Sequence, residues 1–118
     1  MQGLNIVIGI FILGGLGAFF RYMVGAFFMH SMYGVLAVNV IASFFAGVLS
    51  FSTTLSSPYK LVIIFGLLGS FSTFSSYALQ VHQLLLEGQW LRAGVVFIAN
   101  NLLSILACYL GYKLALNL

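Results

Sequence analysis

The sequence has almost no charge: four lysines and arginines and one acidic residue, Glu87, make up 4% of its 118 residues. Soluble domains carry about 25% charged residues, so this chain cannot cover a water-exposed surface. The basic residues form no run, which excludes a nucleic-acid-binding surface. The single cysteine, Cys108, excludes a disulfide within the chain. We expect no enzyme, because the sequence has no nucleophile–base–orienter set and no nucleotide-binding loop.

Hydrophobic residues, in contrast, make up 63% of the chain. Each of the long apolar stretches reaches the roughly 20 residues that a helix needs to cross about 30 Å of hydrocarbon. Only a helix satisfies the backbone groups of such a span internally. The sequence therefore predicts an all-α integral membrane protein, a single domain (1–118) with four transmembrane helices. The predicted spans are Leu4–Met29, Tyr33–Phe51, Leu61–Leu86 and Trp90–Leu116.

The basic residues give no preferred orientation in the membrane. If the chain crosses four times, Lys60 and Lys113 fall on one face and Arg21 and Arg92 on the other, two against two. The positive-inside rule needs an imbalance. Two interpretations remain open. Either a small protein has too few charges for a bias, or the chain inserts both ways and assembles as an antiparallel dimer.

Polar side chains recur at helical spacing within the second and fourth spans. Asn39 and Ser43 lie four residues apart, and Asn100, Ser104 and Cys108 repeat every four residues. Residues at that spacing share one face of a helix. Each asparagine taken alone favours a hydrogen bond between helices. Stripes on several helices, taken together, favour a hydrated or ion-lined path.

The position of charge within the spans separates two kinds of transport. A proton-coupled exporter of cations needs a carboxylate buried within a span, and the only acidic residue, Glu87, lies at a helix end. Arg21, by contrast, lies inside the first span. It either attracts an anion into a vestibule or reaches the lipid–water interface with its long side chain.

The third span contains a polar segment, residues 66–77, with the sequence GLLGSFSTFSSY. Gly66 and Gly69 are permissive in backbone conformation, and the hydroxyls compete for backbone partners. The segment therefore predicts either a helix broken at its centre or an intact, kinked helix. Carbonyls freed by a break suit a small hard cation. The rings of Phe74 and Tyr77 offer electropositive edges to an anion.

Several segments together resemble one family of membrane proteins. Residues 66–77 resemble a G-x-x-G-G-x-T-T-F-S-T-F segment, and residues 38–47 (VNVIASFFAG) resemble a V-N-x-x-G segment. Residues 14–22 (GGLGAFFRY) are similar to a glycine-rich segment that ends in arginine and an aromatic residue, and Glu87-Gly88 matches an E-G pair. These are features of the Fluc/CrcB fluoride channels, and the resemblance covers nearly the whole chain.

This resemblance implies a passive, fluoride-selective channel in the cell membrane of a prokaryote, which lowers cytoplasmic fluoride. Members of the family are antiparallel dual-topology dimers, so the implied partners are fluoride, the lipid bilayer and a second subunit. Their structural sodium ion, which is not transported, is held by backbone carbonyls that fall on Gly69 and Ser72. Arg21 falls in the vestibule. The anion path falls on Asn39, Phe74, Ser75, Tyr77, Asn100, Ser104 and Cys108.

Some positions depart from the family pattern and leave alternatives open. Ser70 and Ala42 replace glycines, and Tyr77 replaces a phenylalanine, so that its hydroxyl changes the edge an ion would meet. These changes leave open a degenerate pore, or a subunit that pairs with a paralogue rather than with itself. The second candidate function is a small four-helix dual-topology exporter of drugs or cations. The third is a membrane scaffold without transport activity.

Overall fold

The computed structural model describes residues 2–117, and every regular element within that range is helical. The helices are α1 (Gln2–Phe27), α2 (Met32–Phe51), α3 (residues 57–71), α4 (Phe74–Leu86) and α5 (Trp90–Leu116). Together α3 and α4 make up one segment, Ser57–Leu86, so that four segments are long and apolar enough to cross a membrane. The predicted all-α fold with four spans is confirmed.

Two of the helix ends that differ from the predicted spans do so for a local backbone reason. α1 ends at Phe27, because Met29 and His30 take φ angles of 57° and 53°, a left-handed conformation that a right-handed helix cannot continue. α3 begins at Ser57, before the predicted start, because Pro58 lies in its first turn. Proline is tolerated there, since the N–H that it lacks would have no partner within the helix.

The helices pack closely in pairs, α2 along α5 and α1 along α3. Glycines make the first contact possible. A Cβ atom on Gly47 would strike the carbonyl oxygen of Cys108, and one on Gly111 would strike the carbonyl oxygen of Phe44. Small residues let the backbones of membrane helices approach each other in this way. The close α2–α5 contact therefore brings the polar residues of the two helices near each other.

The third span is broken at its centre, as predicted, but the glycines of residues 66–77 do not form the break. α3 ends at Phe71, after a π-helical stretch, Val62–Leu68. Ser72 and Thr73 then take extended ψ angles of 162° and 119°. Gly66 lies within the helix, where an added Cβ atom would be only 3.1 Å from Ile10 Cα on α1. Gly66 therefore allows close helix packing, and the break lies at the hydroxyl residues Ser72 and Thr73.

Candidate functional site

The break in the third span is held by one side chain of α2, Asn39. The Thr73 N–H donates to Asn39 Oδ1 at 2.8 Å, and Asn39 Nδ2 donates to the Thr73 carbonyl at 3.1 Å. The same nitrogen donates to Asn100 Oδ1 on α5 at 3.0 Å. An amide nitrogen carries two hydrogens, so both are used. Asn39 therefore joins α2, the break and α5.

Two backbone carbonyls are released from the helix at this break. In a continuous helix each carbonyl accepts from the N–H four residues later. The Thr73 N–H, which would serve Gly69, donates to Asn39 instead. The Ser76 N–H, which would serve Ser72, donates to Thr73 Oγ1 at 3.1 Å, since Thr73 is the N-cap of α4. The carbonyl oxygens of Gly69 and Ser72 therefore each lack their usual helical partner.

The residues that own these carbonyls lie on one open cavity of about 210 Å³. Gly69 and Ser72 form one part of its lining, and Ala42, Ser43 and Ala46 of α2 form another. Gly69 is exposed. The two residues that the resemblance assigns to a cation therefore lie together on an open surface of the protein.

A second cavity, of about 250 Å³, lies between α2, the break, α4 and α5, and is called the asparagine cavity below. No lysine, arginine, aspartate or glutamate is among its lining residues, so the cavity is polar and neutral. Five residues of the predicted anion path are brought together here. The lining consists of Asn39, Ser43, Ser72, Thr73, Phe74, Tyr77, Asn100, Asn101, Ser104 and Ile105.

The hydrogen bonds around the asparagine cavity leave donors unused. Asn100 is 6% exposed, and its Oδ1 accepts from Asn39. Its Nδ2 donates to the Val96 carbonyl at 3.0 Å, which uses only one of its two hydrogens. The Ser104 hydroxyl is buried and has no hydrogen-bond partner among residues 2–117. Both side-chain oxygens of the asparagine pair are occupied, whereas an amide hydrogen and a hydroxyl remain for a ligand.

Aromatic rings form another part of the same cavity lining. The rings of Phe74 and Tyr77 meet edge to face, with centroids 5.3 Å apart and planes at 73°. Tyr77 is 5% exposed, and its oxygen accepts from Asn101 Nδ2 at 2.9 Å. Phe74, in contrast, is 76% exposed. One ring is therefore fixed inside the protein and the other projects from its surface.

A larger cavity, of about 390 Å³, contains Arg21 in its lining and is called the arginine cavity below. Arg21 Nε donates to the carbonyl of Ser70 at 3.0 Å, so the guanidinium lies beside the last turn of α3. His30 and Gln80 also line this cavity, and Gln80 Oε1 is buried without a hydrogen-bond partner in the described part of the chain. Thr73 lines both this cavity and the asparagine cavity.

Comparison with known proteins decides the family. The family model described as "CrcB-like protein, Camphor Resistance (CrcB)" matches residues 8–112. This chain belongs to the CrcB family. It is 38% identical to the "Fluoride-specific ion channel FluC" of Shewanella sp. (strain W3-18-1) over 112 residues, which cover 88% of this chain and 90% of the relative. Proteins of the same name from Shewanella baltica (strain OS155) and Shewanella oneidensis are 36% and 35% identical over the same shares.

Membership of the CrcB family confirms the resemblance seen in the sequence. With four membrane-spanning segments and bacterial relatives, the chain is a multi-pass membrane protein of the prokaryotic cell membrane.

Two residues assigned to the anion path lie outside the asparagine cavity of this CrcB protein. Cys108 lies one turn beyond Ser104, and its carbonyl faces Gly47 at the α2–α5 contact. Ser75 is exposed, with its hydroxyl 3.4 Å from Thr73 Oγ1. Their place on the path stays a prediction.

Two residues that the predicted site left out, Thr73 and Asn101, have structural roles in it. Thr73 caps α4 and bonds to Asn39, and Asn101 bonds to Tyr77. Thr73 follows the extended Ser72 and precedes a helix, which is the usual position of an N-cap threonine. The sequence offers Thr73 as an N-cap candidate, but the neighbouring serines are equally good candidates. Asn101 is a neighbour of Asn100 in sequence, and it carried no separate signal.

Proposed function

We propose that this chain is one subunit of a fluoride-specific channel that lets fluoride leave the cell passively and so lowers its cytoplasmic concentration. The asparagine cavity carries the proposal, because it is neutral, lies within a bundle of membrane-spanning helices and retains unused hydrogen-bond donors. The name of the relatives, fluoride-specific ion channel, agrees with it.

Neutral donors suit the passage of a small anion through the membrane. An anion that leaves water loses the hydrogen bonds of its hydration shell, and a buried polar group is costly unless those bonds are replaced. Asn100 and Ser104 line the cavity, and the spare amide hydrogen of Asn100 and the Ser104 hydroxyl would replace those bonds. Conduction also requires that binding be weak enough for release. Donors without a full charge meet both requirements.

The aromatic rings extend the same path toward the protein surface. The edge of an aromatic ring is electropositive, and its face is electronegative. Phe74 and Tyr77 are neighbours on α4, and the exposed Phe74 ring lies at the boundary of the cavity. An anion that passes along this side of α4 meets ring edges, whereas a cation would be attracted to ring faces.

Arg21 attracts the anion before it reaches the neutral path. A positively charged cavity raises the local concentration of anions and their rate of entry. The arginine cavity adjoins the asparagine cavity at Thr73. The proposed order of events is therefore attraction near Arg21, transfer past Thr73, and solvation by the donors of the asparagine cavity.

The alternative function, an exporter that exchanges protons for cations, lacks its central group. Such a mechanism needs a carboxylate within the membrane. The only carboxylate side chain in the sequence belongs to Glu87, which follows α4, is exposed and accepts a hydrogen bond from Gln89 Nε2 at 2.9 Å. No observation in the described residues favours this function over an anion channel.

We further propose that the carbonyls of Gly69 and Ser72 hold a structural sodium ion that is not transported. Neutral backbone oxygens at a helix break suit a hard monovalent cation. The Ser72 hydroxyl is not available, because it donates to the Leu68 carbonyl at 3.0 Å, so the carbonyl is the ligand that this residue offers. Bound there, a sodium ion supplies a positive charge that balances the carbonyl dipoles of the break.

The same surface supports a proposal for a dimer of antiparallel subunits. Hard cations take several oxygen ligands, and two carbonyls of one chain complete only part of such a set. Gly69 is exposed in the single subunit, and so is Phe74. A second subunit, either a copy of this chain or a paralogue, would supply further oxygens and cover the Phe74 ring. The sequence count of two basic residues toward each membrane face, in which Arg21 of α1 is assigned to the face that α1 runs toward, agrees with insertion in both orientations.

An efflux assay tests the channel function. Liposomes that contain the purified protein are loaded with potassium fluoride or potassium chloride, and a potassium ionophore is added to start electrogenic release. We expect fluoride to leave, as measured with a fluoride electrode, while chloride stays inside. Protein-free liposomes are the control. No fluoride release, from this chain alone or co-reconstituted with a paralogue, would refute the channel function, and equal chloride release would refute fluoride selectivity.

Removal of sodium tests the cation proposal separately. We expect that protein purified with N-methylglucamine in place of sodium loses its dimer or its fluoride flux, and that added sodium restores both. Dimer content is measured by chemical cross-linking, and transport of the ion is checked with radioactive sodium, which should not cross. Unchanged dimer content and flux in strictly sodium-free buffer would contradict the proposal.

A further inference from the structure

Tyr77 has a hydroxyl whose proton no group among residues 2–117 accepts. The side chain is 5% exposed and lines the asparagine cavity. Its single hydrogen bond within residues 2–117 is the one from Asn101 Nδ2 at 2.9 Å. A phenol can both donate and accept a hydrogen bond, and a buried donor without an acceptor is costly. The direction of the Asn101 bond therefore decides what the Tyr77 hydroxyl can do.

The surroundings of Asn101 fix that direction. Asn101 Nδ2 also donates to the Phe97 carbonyl at 2.8 Å. A carbonyl only accepts, so the amide nitrogen, and not the amide oxygen, must point toward Phe97. The same nitrogen lies next to Tyr77, and its second hydrogen donates to the phenol oxygen. The Tyr77 proton consequently has to point away from Asn101.

Ser104 offers a second free hydroxyl in the same cavity. A serine within a membrane helix commonly donates to the carbonyl of the preceding turn. Ser70 and Ser72 do so, to Gly66 at 2.5 Å and to Leu68 at 3.0 Å. Ser104 makes no such bond, although its oxygen is buried. Tyr77 on α4 and Ser104 on α5 therefore line one cavity with two hydroxyl protons that lack an acceptor in the described part of the chain.

We propose that the hydroxyls of Tyr77 and Ser104 form a paired donor site for fluoride, and that Asn101 is the positioning residue that turns the Tyr77 proton toward it. This inference rests on the proposed channel function and deepens it. Hydroxyl donors form short, strong hydrogen bonds to charged acceptors. Fluoride, the smallest halide, approaches such donors more closely than chloride does. The two hydroxyls thus add selectivity for fluoride over chloride to a path that otherwise depends on the Asn100 amide and on the ring edges of Phe74 and Tyr77.

Direct binding measurements test the donor pair without relying on transport. Sodium fluoride is titrated into detergent-solubilised protein by calorimetry, with sodium chloride as the comparison. We expect Tyr77→Phe and Ser104→Ala each to weaken fluoride binding about tenfold, the loss of one hydrogen bond to a charged group. Tyr109→Phe is the matched control, because Tyr109 is exposed and lies outside the asparagine cavity, and its binding should equal that of the wild type.

The outcomes separate this site from the channel function. Fluoride binding that depends on Tyr77, in a protein without fluoride flux, would support the site and contradict the channel. Fluoride flux in the wild type with unchanged binding in both Tyr77→Phe and Ser104→Ala would overturn the site and leave the channel. An absence of fluoride binding in the wild type would also overturn the site.

A double substitution tests the positioning role of Asn101. Asn101→Leu keeps a side chain of similar size and removes both donors, so the Tyr77 proton is free to turn. We expect about threefold weaker binding in the wild-type background and no further change in the Tyr77→Phe background. A purely structural role for Asn101 would weaken binding in both backgrounds and would overturn this assignment. Circular dichroism melts identify the folded variants.

Discussion

The arginine cavity and the asparagine cavity adjoin at Thr73, yet their linings differ in kind. The larger one, of about 390 Å³, carries the permanent charge of Arg21, whereas the smaller one, of about 250 Å³, offers neutral donors. A full charge attracts an anion from a distance, but at low dielectric it also holds the anion tightly. Neutral donors replace hydration and allow release. Under the proposed function, the arginine cavity therefore attracts the anion and the asparagine cavity lets it pass.

The largest effect on fluoride flux is expected from Asn39→Ala. The Asn39 amide bonds to the backbone of Thr73, the residue that lines both cavities. The substitution removes partners from the Thr73 N–H, the Thr73 carbonyl and Asn100 Oδ1 at once. Each buried polar group left without a partner costs about 1–3 kcal/mol. We expect fluoride flux per folded protein to fall about a hundredfold. Liposome flux and a thermal melt measure the two consequences.

Asn117→Ala is the matched control for that experiment. Asn117 follows α5, is exposed, and donates to the Lys113 carbonyl at 3.2 Å. It is not among the lining residues of either cavity, so flux and melting temperature should equal those of the wild type. If Asn39→Ala conducted fluoride as well as Asn117→Ala does, fluoride flux would not depend on the hydrogen bonds that Asn39 makes to Thr73 and Asn100.

Arg21→Gln should have a smaller effect, and one that depends on salt. Loss of the charge lowers the local anion concentration in the arginine cavity, so we expect fluoride flux to fall about tenfold at low ionic strength. In about 1 M of an impermeant salt the Debye length shortens to about 3 Å, and the two proteins should differ much less. The measurement is initial efflux rate against ionic strength. The neutral path itself should stay selective against chloride.

Two further variants separate the charge of Arg21 from its hydrogen bond. Arg21→Lys keeps the charge and loses the guanidinium that donates to Ser70, so it should retain the salt dependence. Arg92→Gln removes a charge from an exposed position outside both cavities and should leave flux unchanged. A salt-independent loss in Arg21→Gln would mean that the hydrogen bond to Ser70, and not attraction of the anion, is what matters.

The four spans and the polar stripes could be predicted from the sequence, because both follow from local rules. The length of each apolar stretch predicts a span, and a spacing of four residues places Asn100 and Ser104 on one helix face. The position of the break could not be predicted to the residue. Ser70 and Ser72 donate back into α3, whereas Thr73 caps α4. The break is fixed at Thr73 by hydrogen bonds from Asn39, which lies on another helix and is distant in sequence.

The asparagine cavity ends before Cys108, the last residue of the polar stripe on α5. An α-helix rises about 1.5 Å per residue, so a step of four residues advances about 6 Å along its axis. Asn100 and Ser104 line the asparagine cavity, whereas Cys108, one such step further, is absent from its lining and has its backbone carbonyl against Gly47. Asn101, in contrast, lies about 100° from Asn100 around the helix and still lines the cavity. It starts on a neighbouring face and reaches the cavity through its bond to Tyr77.

The smallest effect is therefore expected from Cys108→Ala, compared with Ser104→Ala one turn earlier on α5. Cys108 is half-buried and absent from the cavity lining, and alanine fits wherever a cysteine side chain does. We expect fluoride flux within about twofold of the wild type, because no hydrogen bond to an anion is lost, whereas Ser104→Ala removes a free donor. Equal losses in the two variants would extend the path beyond the asparagine cavity, along the full stripe of α5.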